Sequence, residues 1–139
     1  MRRTVLADTG PLYAALDPDD RYHQRAQEEI RHLNREGRRV AVLYPTLLES
    51  YSLILYKLGL PVAHGWLAEV SGQALLLNPS PEDYQQARHL PSQFRDQRLT
   101  LFDAVLAVVS RRLATPVWTY DHHFDSMRVE VWRGQGLEG

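Results

Sequence analysis

The chain has 139 residues, which suits one domain with a hydrophobic core of its own. Hydrophobic residues make up 44% and charged residues 24%, as in soluble globular proteins, and a net charge of −1 singles out neither nucleic acid nor any other charged partner. There is no cysteine, which excludes disulfides and zinc–thiolate sites and fits a cytoplasmic setting; no stretch reaches the roughly 18 apolar residues of a membrane span, and "MRRTVLAD" is too short for a signal-peptide core.

In chain order, "TVLAD" (4–8) is a short apolar run ending in an acid, the pattern of a buried parallel strand. "TGPLYAALD" turns into a short helix that stops at Asp17-Pro18. Residues 20–37 place Tyr22, Ala26, Ile30 and Leu33 on one stripe, predicting a surface helix closed by Gly37. "RVAVLY" (39–44) predicts a second buried strand, and residues 46–59 and 61–72 predict two helices, the second begun by Pro61 and ended by Gly72. A third strand follows at 74–77, a capped helix at "SPEDYQQARHL", and an almost wholly apolar helix at 100–113. "PVWTYD" (116–121) predicts a fourth strand and "VEVW" (129–132) a short edge strand, with a frayed tail over 133–139. No repeat, low-complexity stretch or linker divides the chain, so residues 1–139 are expected to form one domain. Alternating helices and two-face-buried strands predict an α/β sandwich with a mainly parallel sheet of four to five strands.

Four acids fall at telling places in that arrangement. Asp8 ends the first strand and Asp121 the fourth; Glu49 lies in the first turn of the helix after strand two, and Asp103 in the first turn of its own helix. Ligand crevices of open α/β sheets lie outside the carboxyl ends of the strands, so these carboxylates can converge on one cleft. Each also has a plainer reading. "TLLE" (46–49) and "TLFD" (100–103) both match a capping box, as does "SPED" (80–83), where no chemistry is apparent. Asp8 can cap a helix and Asp121 can begin a turn. The surroundings weigh against capping alone. Asp103 sits among Leu101, Phe102, Ala104, Val105 and Leu106, and Glu49 among Leu47, Leu48, Leu53 and Ile54, with no lysine nearby in sequence. Buried carboxylates are costly unless paired or bound to a cation, and magnesium or manganese is the natural partner of oxygen ligands.

These pieces together resemble the PIN-domain family, and in size and layout its VapC-type toxins. The resemblance rests on "VLADTGPLYAALDPDDRYHQRA", "YPTLLESYSLI", "LTLFDAVLAVVS" and "VWTYDHHF" and spans about residues 4–132. It implies a PIN-like three-layer α/β/α sandwich whose active face is the carboxyl edge of the sheet. The family's metal-binding acids carry over onto Asp8, Glu49, Asp103 and Asp121, with Asp125 as a rival to Asp121, and its supporting hydroxyls onto Thr9 and Thr119. It further implies a Mg2+- or Mn2+-dependent endoribonuclease acting on RNA, the toxin of a toxin–antitoxin pair held inactive by a cognate antitoxin, and a homodimer.

The remaining polar residues read more simply. Asp17, Asp19 and Asp20 are turn and cap residues, His23 is a surface helix residue, and His122 and His123 are surface or substrate-contact groups. Arg21, Arg25 and Arg128 are candidates to draw in RNA, although Lys57 is the only lysine and the arginine bias also arises from genome composition. The helices over 46–59 and 61–72 carry Leu53, Leu55, Leu58, Leu60, Val62, Trp66 and Leu67, more than one buried face absorbs, so part of that surface is expected to be an interface. Two other classes stay open: a catalytically silent PIN-fold binding module, and a receiver-like magnesium-binding signalling domain. "ADTG" lacks the adjacent acids that the latter requires, and no late-strand lysine exists.

Overall fold

A computed structural model of the protein describes residues 3–134. Four strands, β1 (Thr4–Ala7), β2 (Arg39–Leu43), β3 (Leu75–Leu77) and β4 (Val117–Trp118), form a sheet in the order β3-β2-β1-β4. Every pairing is parallel, with Val5 opposite Val40, Leu6 opposite Val117 and Val42 opposite Leu76. Helices α1 (Thr9–Ala14), α2 (His23–Arg35), α3 (Tyr44–Leu58) and α4 (Leu60–Gln73) precede β3. Helices α5 (Pro81–Ala87), α6 (Leu90–Gln93), α7 (Leu101–Leu113) and α8 (His123–Ser126) complete the chain order around β4.

Because successive side chains of a strand point to opposite faces, β1 feeds two cores. Val5 and Ala7 pack with Tyr13, Leu33, Ile54 and Trp66 on one side. Leu6 packs with Leu106, Val109 and Phe124 on the other. The result is the expected three-layer α/β/α sandwich. Its strand order also differs from the 2-1-3-4-5 order of flavodoxin-like receivers, which removes the signalling-domain alternative. Among the described residues no helix is long and apolar enough to cross a membrane.

Several boundaries differ from expectation, each for a local reason. The expected strand at 116–121 pairs only over Val117–Trp118, because Thr119 leaves the ladder and its hydroxyl accepts the Asp121 N–H at 3.0 Å. The expected edge strand at 129–132 is a single parallel bridge, Val117 to Val131, for want of a longer β4 to pair with. The helix expected over 80–90 is two, since Pro91 has no N–H for the Ala87 carbonyl and its ring crowds that turn. The first helix ends at Ala14 rather than Asp17, and the second begins at His23 rather than Asp20, because the acidic loop folds on itself. There Asp17 accepts the Tyr13 hydroxyl and the Asp19 N–H, and Asp20 accepts the Tyr22 N–H. Gly37, with φ 67°, closes α2 as expected: its N–H reaches the Asn34 carbonyl, and the Arg38 N–H reaches that of Leu33. His23, read as a surface helix residue, is half-buried at the start of α2, and its Nδ1, 2.7 Å from the Ala14 carbonyl, ties α2 to α1. Of the expected frayed tail, residues 135–139 lie outside the described residues.

"SPED" does form a capping box, but Asp83 does more than cap. It is buried and takes the Arg112 guanidinium in a two-pronged fork at 2.9 and 2.8 Å. Burial pushes its carboxyl up, yet the Arg112 fork and the Ser80 N–H outweigh it and hold the group below the usual range. Asp83→Asn is therefore no mild change. It is expected to cost about 1–3 kcal/mol in chemical denaturation. A loss under about 0.5 kcal/mol would mean that the fork contributes nothing beyond an ordinary exposed pair.

Candidate functional site

All four strands are parallel, so their carboxyl ends share one edge, and helices running back across the sheet begin there. Asp8 follows β1 directly and caps α1 from extended backbone (φ −88°, ψ 167°). Its Oδ1 accepts the Thr9 N–H at 2.8 Å and its Oδ2 the Thr119 hydroxyl at 2.8 Å. Glu49 comes from α3. Contrary to the capping-box reading of "TLLE", α3 starts at Tyr44 with Pro45 in its first turn and no side-chain cap. Thr46 is thus inside the helix, and Glu49 lies a turn further in, where it reaches the cleft instead of the helix end. Its Oε1 accepts the Thr9 hydroxyl at 2.5 Å, and that same hydroxyl oxygen accepts the Ser50 hydroxyl at 3.1 Å.

Asp103 is both things at once. "TLFD" is a genuine capping box, with the Asp103 N–H on Thr100 Oγ1 at 3.1 Å and the Thr100 N–H on Asp103 Oδ2 at a long 3.4 Å. The carboxylate also faces the cleft, which Asp8, Glu49 and Asp121 share. Asp121 follows β4 and takes the His123 N–H on Oδ1 at 2.9 Å. Its rival Asp125 is exposed, pairs with Arg133 at 3.4 Å and stands outside the cleft.

The cleft has a volume of about 550 Å³ and is also lined by Tyr13, Tyr22, Lys57 and Tyr120. Its electrostatics are those of crowded acids. Burial, with Asp103 and Glu49 adding to it, pushes Asp8 from the ordinary 3.8 up to about 7, against the hydrogen bonds from Thr119 and Thr9. Burial and then Asp103 raise Glu49, and burial and then Asp121 raise Asp103. Among the described residues no arginine or lysine is ion-paired with any of the four. Burial and mutual repulsion oppose charge on Asp8, Glu49 and Asp103, and oxygen donors from four separate segments are the donor set a hard divalent cation takes.

Sequence reasoning missed two members of this site. Lys57, about two turns after Glu49 on α3 and set aside as not near the acids, lines the cleft, although its Nζ sits 5.4 Å from the Tyr13 ring centre and it bears on Asp17. His123, taken for a surface group, is half-buried with Nδ1 3.3 Å from Asp121 Oδ1 and 3.9 Å from Asp103 Oδ2. The clue was its place two residues after the acid in "YDHHF"; the objection that neighbouring histidines rarely share a metal applies only to the exposed His122. Of the candidate arginines, Arg21 and Arg25 lie at the rim. Their guanidinium carbons stand 4.6 Å over the rings of Tyr22 and Tyr120, whose centres are 4.6 Å apart. Buried Glu29 anchors that rim, accepting the Trp118 indole N–H at 3.0 Å, the Tyr120 hydroxyl at 2.5 Å and the Arg25 Nε–H at 3.4 Å. Arg128, at φ 57° beyond α8, does not line the cleft.

A parallel α/β/α sandwich with carboxylates gathered at the carboxyl edge of its sheet defines an acidic-cleft class of protein. The chain belongs to the PIN domain family, whose model matches residues 5–130. No match is found among curated proteins. Among solved structures, the fold is similar to that of Mycobacterium tuberculosis VapC20, described as a Sarcin-Ricin loop cleaving toxin. The TM-score is 0.81 at 18% identity, over 93% of this chain and 98% of that one. It is also similar to VapBC2 from Rickettsia felis bound to a DNA fragment from its promoter, with TM-score 0.69, 11% identity and coverage of 94% and 97%. A toxin–antitoxin complex from Klebsiella pneumoniae matches with TM-score 0.58 at 15% identity, over 85% and 87%.

Proposed function

We propose that the protein is a Mg2+- or Mn2+-dependent endoribonuclease, the toxin of a toxin–antitoxin pair, working in the cytoplasm as one nuclease domain. The observation that carries this reading is the meeting of Asp8, Glu49, Asp103 and Asp121 in one cleft, with the carboxyls of Asp8, Glu49 and Asp103 raised and, among the described residues, no arginine or lysine paired with any of the four. These four would hold the ion. When bound, it supplies positive charge to a phosphodiester and acidifies a water. The chain's own part is placement. The Thr9 N–H and the Thr119 hydroxyl fix both oxygens of Asp8, and the Thr9 hydroxyl orients Glu49. The Thr119 hydroxyl oxygen also receives the Asp121 N–H, so one threonine aligns two of the acids. RNA as substrate is supported by the description of VapC20 and by the rim, where Tyr22 and Tyr120 offer ring faces and Arg21 and Arg25 offer positive charge.

A partner surface is available on α3 and α4. Leu48, Leu55, Tyr56, Leu60 and Val62 are exposed there, Tyr56 at 87% and Leu48 at 65%, whereas Trp66, expected in that set, belongs to the core. This face would take a second copy of the chain or an antitoxin, as the toxin–antitoxin complexes of similar fold support. The purified protein, freed of any partner, is expected to cut RNA with Mg2+ or Mn2+ and to fall at least about 100-fold on chelation, with activity restored by excess metal. Cleavage that persists in chelator, from protein free of contaminating nucleases, would overturn the carboxylate mechanism.

A further inference from the structure

We infer that His123 Nδ1 is a nitrogen donor to the metal site, joining Asp103 and Asp121 in a mixed nitrogen–oxygen subsite that favours Mn2+ over Mg2+. The inference rests on the metal-dependent reading above and deepens it.

One oxygen each of Asp103 and Asp121 and the Nδ1 atom of His123 lie within 4.8 Å of one another, close enough to share one ion. The nitrogen is buried and has no hydrogen-bond partner, an expensive state for a ring nitrogen unless something else is to fill it. Both neighbouring carboxylates are already engaged. Asp121 Oδ1 takes the His123 backbone N–H at 2.9 Å, and Asp103 Oδ2 faces the Thr100 N–H at 3.4 Å. A histidine serving as a counter-ion would close on a carboxylate to about 2.7–2.9 Å. Here the gaps are 3.3 and 3.9 Å. These are loose contacts for an ion pair, and they leave room for the three donors to surround one ion.

The backbone holds this ring in place. Phe124, inside the short helix α8, and Met127, just after its end, are fully buried in the core that backs the sheet. The His123 N–H bond to Asp121 then aims the side chain back over the acids. His122, its exposed neighbour, packs edge-on to it with ring centres 5.1 Å apart and, among the described residues, has no carboxylate within ion-pair distance. Manganese, though it also takes oxygen ligands, accepts an imidazole nitrogen more readily than magnesium, which prefers oxygen and retains water. A site with one nitrogen donor therefore separates the two ions in a way that four carboxylates alone do not.

The test uses the full chain stripped of metal and then loaded with Mn2+ or Mg2+ alone. Pulsed electron paramagnetic resonance of the Mn2+-loaded wild type is expected to show nitrogen coupling from a directly bound imidazole. That coupling should persist in His122→Gln and vanish in His123→Gln. Calorimetric titration should show Mn2+ affinity falling about tenfold or more in His123→Gln and His123→Ala, and Mg2+ affinity by less than about threefold. A counter-ion role predicts the opposite sign, since removing a positive ring strengthens binding of both ions. Equal losses for the two ions, unchanged or increased Mn2+ affinity, or a wild-type spectrum without nitrogen coupling would each overturn the inference. The spectrum needs no variant, so misfolding of a mutant does not protect the idea. Wild type that binds Mn2+ without nitrogen coupling refutes the histidine assignment alone. Wild type that binds neither ion refutes the carboxylate reading and this inference with it.

Discussion

Asp103→Asn is expected to lower metal-dependent RNA cleavage by on the order of 10²–10³-fold while leaving the metal-free protein as stable as wild type or more so. The two effects have one cause. As a cap, Asp103 contributes on the order of 0.5–1 kcal/mol, and asparagine retains part of that through its own carbonyl. As a member of the cluster, it is charged in a place where burial and the Asp121 carboxylate oppose charge, and they outweigh the Thr100 hydrogen bonds and His123, so its pKa is raised. A raised carboxyl pKa means that the ionised form is less favourable in the fold than in the open chain. Neutralising it removes that penalty. Added Mg2+ should raise the wild-type melting temperature by mass action, which is about 2.7 kcal/mol at a hundredfold excess over Kd, and raise that of the variant weakly or not at all. A variant that is destabilised and still responds to Mg2+ would show that Asp103 is a cap and nothing more.

The second large effect is on stability against pH. With Asp8 raised from 3.8 to about 7, the folded state retains a proton between those values that the unfolded chain has released. The unfolded state then binds fewer protons, so stability falls as pH rises through that window. Below about pH 4 the group is neutral in both states and contributes nothing; above about 7 it is ionised in both, and the full penalty applies. That penalty is on the order of 2–4 kcal/mol. Urea denaturation in chelator should therefore find Asp8→Asn more stable than wild type at pH 8, by a clearly smaller margin at pH 5, and close to it only near pH 4. Asp17 and Glu36, whose carboxyls are lowered, work the other way and lose their contribution only in more acidic solution. Divalent metal should cancel or reverse the wild-type slope, because it binds the ionised carboxylates. A gap between wild type and variant that does not change with pH would remove Asp8 from the cluster.

The local legibility of the chain varied with the range of the forces involved. β1 and β2 stood out because a strand covered on both faces must be apolar at successive positions, as Val5 and Leu6 are. Gly37 and the Thr100 cap were equally plain, since turns and caps are set by residues within one helical turn. The start of α3 was not. Thr46 and Glu49 have capping-box spacing, yet Pro45 at the front of the helix begins it two residues earlier and turns a cap into a side chain directed at the cleft. The 129–132 segment has strand composition, but a strand also needs a partner edge, and β4 offers it only Val117. His123 was the larger omission, because the core packing of Phe124 that aims its ring at the acids is a long-range fact.

"SPED" and "TLFD" mark the division most clearly. By itself the sequence determined that both are capping boxes, that strands and helices alternate, and that Asp8, Glu49, Asp103 and Asp121 fall where a parallel sheet brings its carboxyl edge together; period and spacing along the chain suffice for that. Only the tertiary structure decided what each acid faces. Asp83 meets Arg112 from α7 and is lowered, whereas Asp103 meets Asp121 from beyond β4 and is raised. A carboxylate's charge state depends on burial and on the sign of its neighbours within a few ångströms, and those neighbours arrive from distant segments only when the chain has folded.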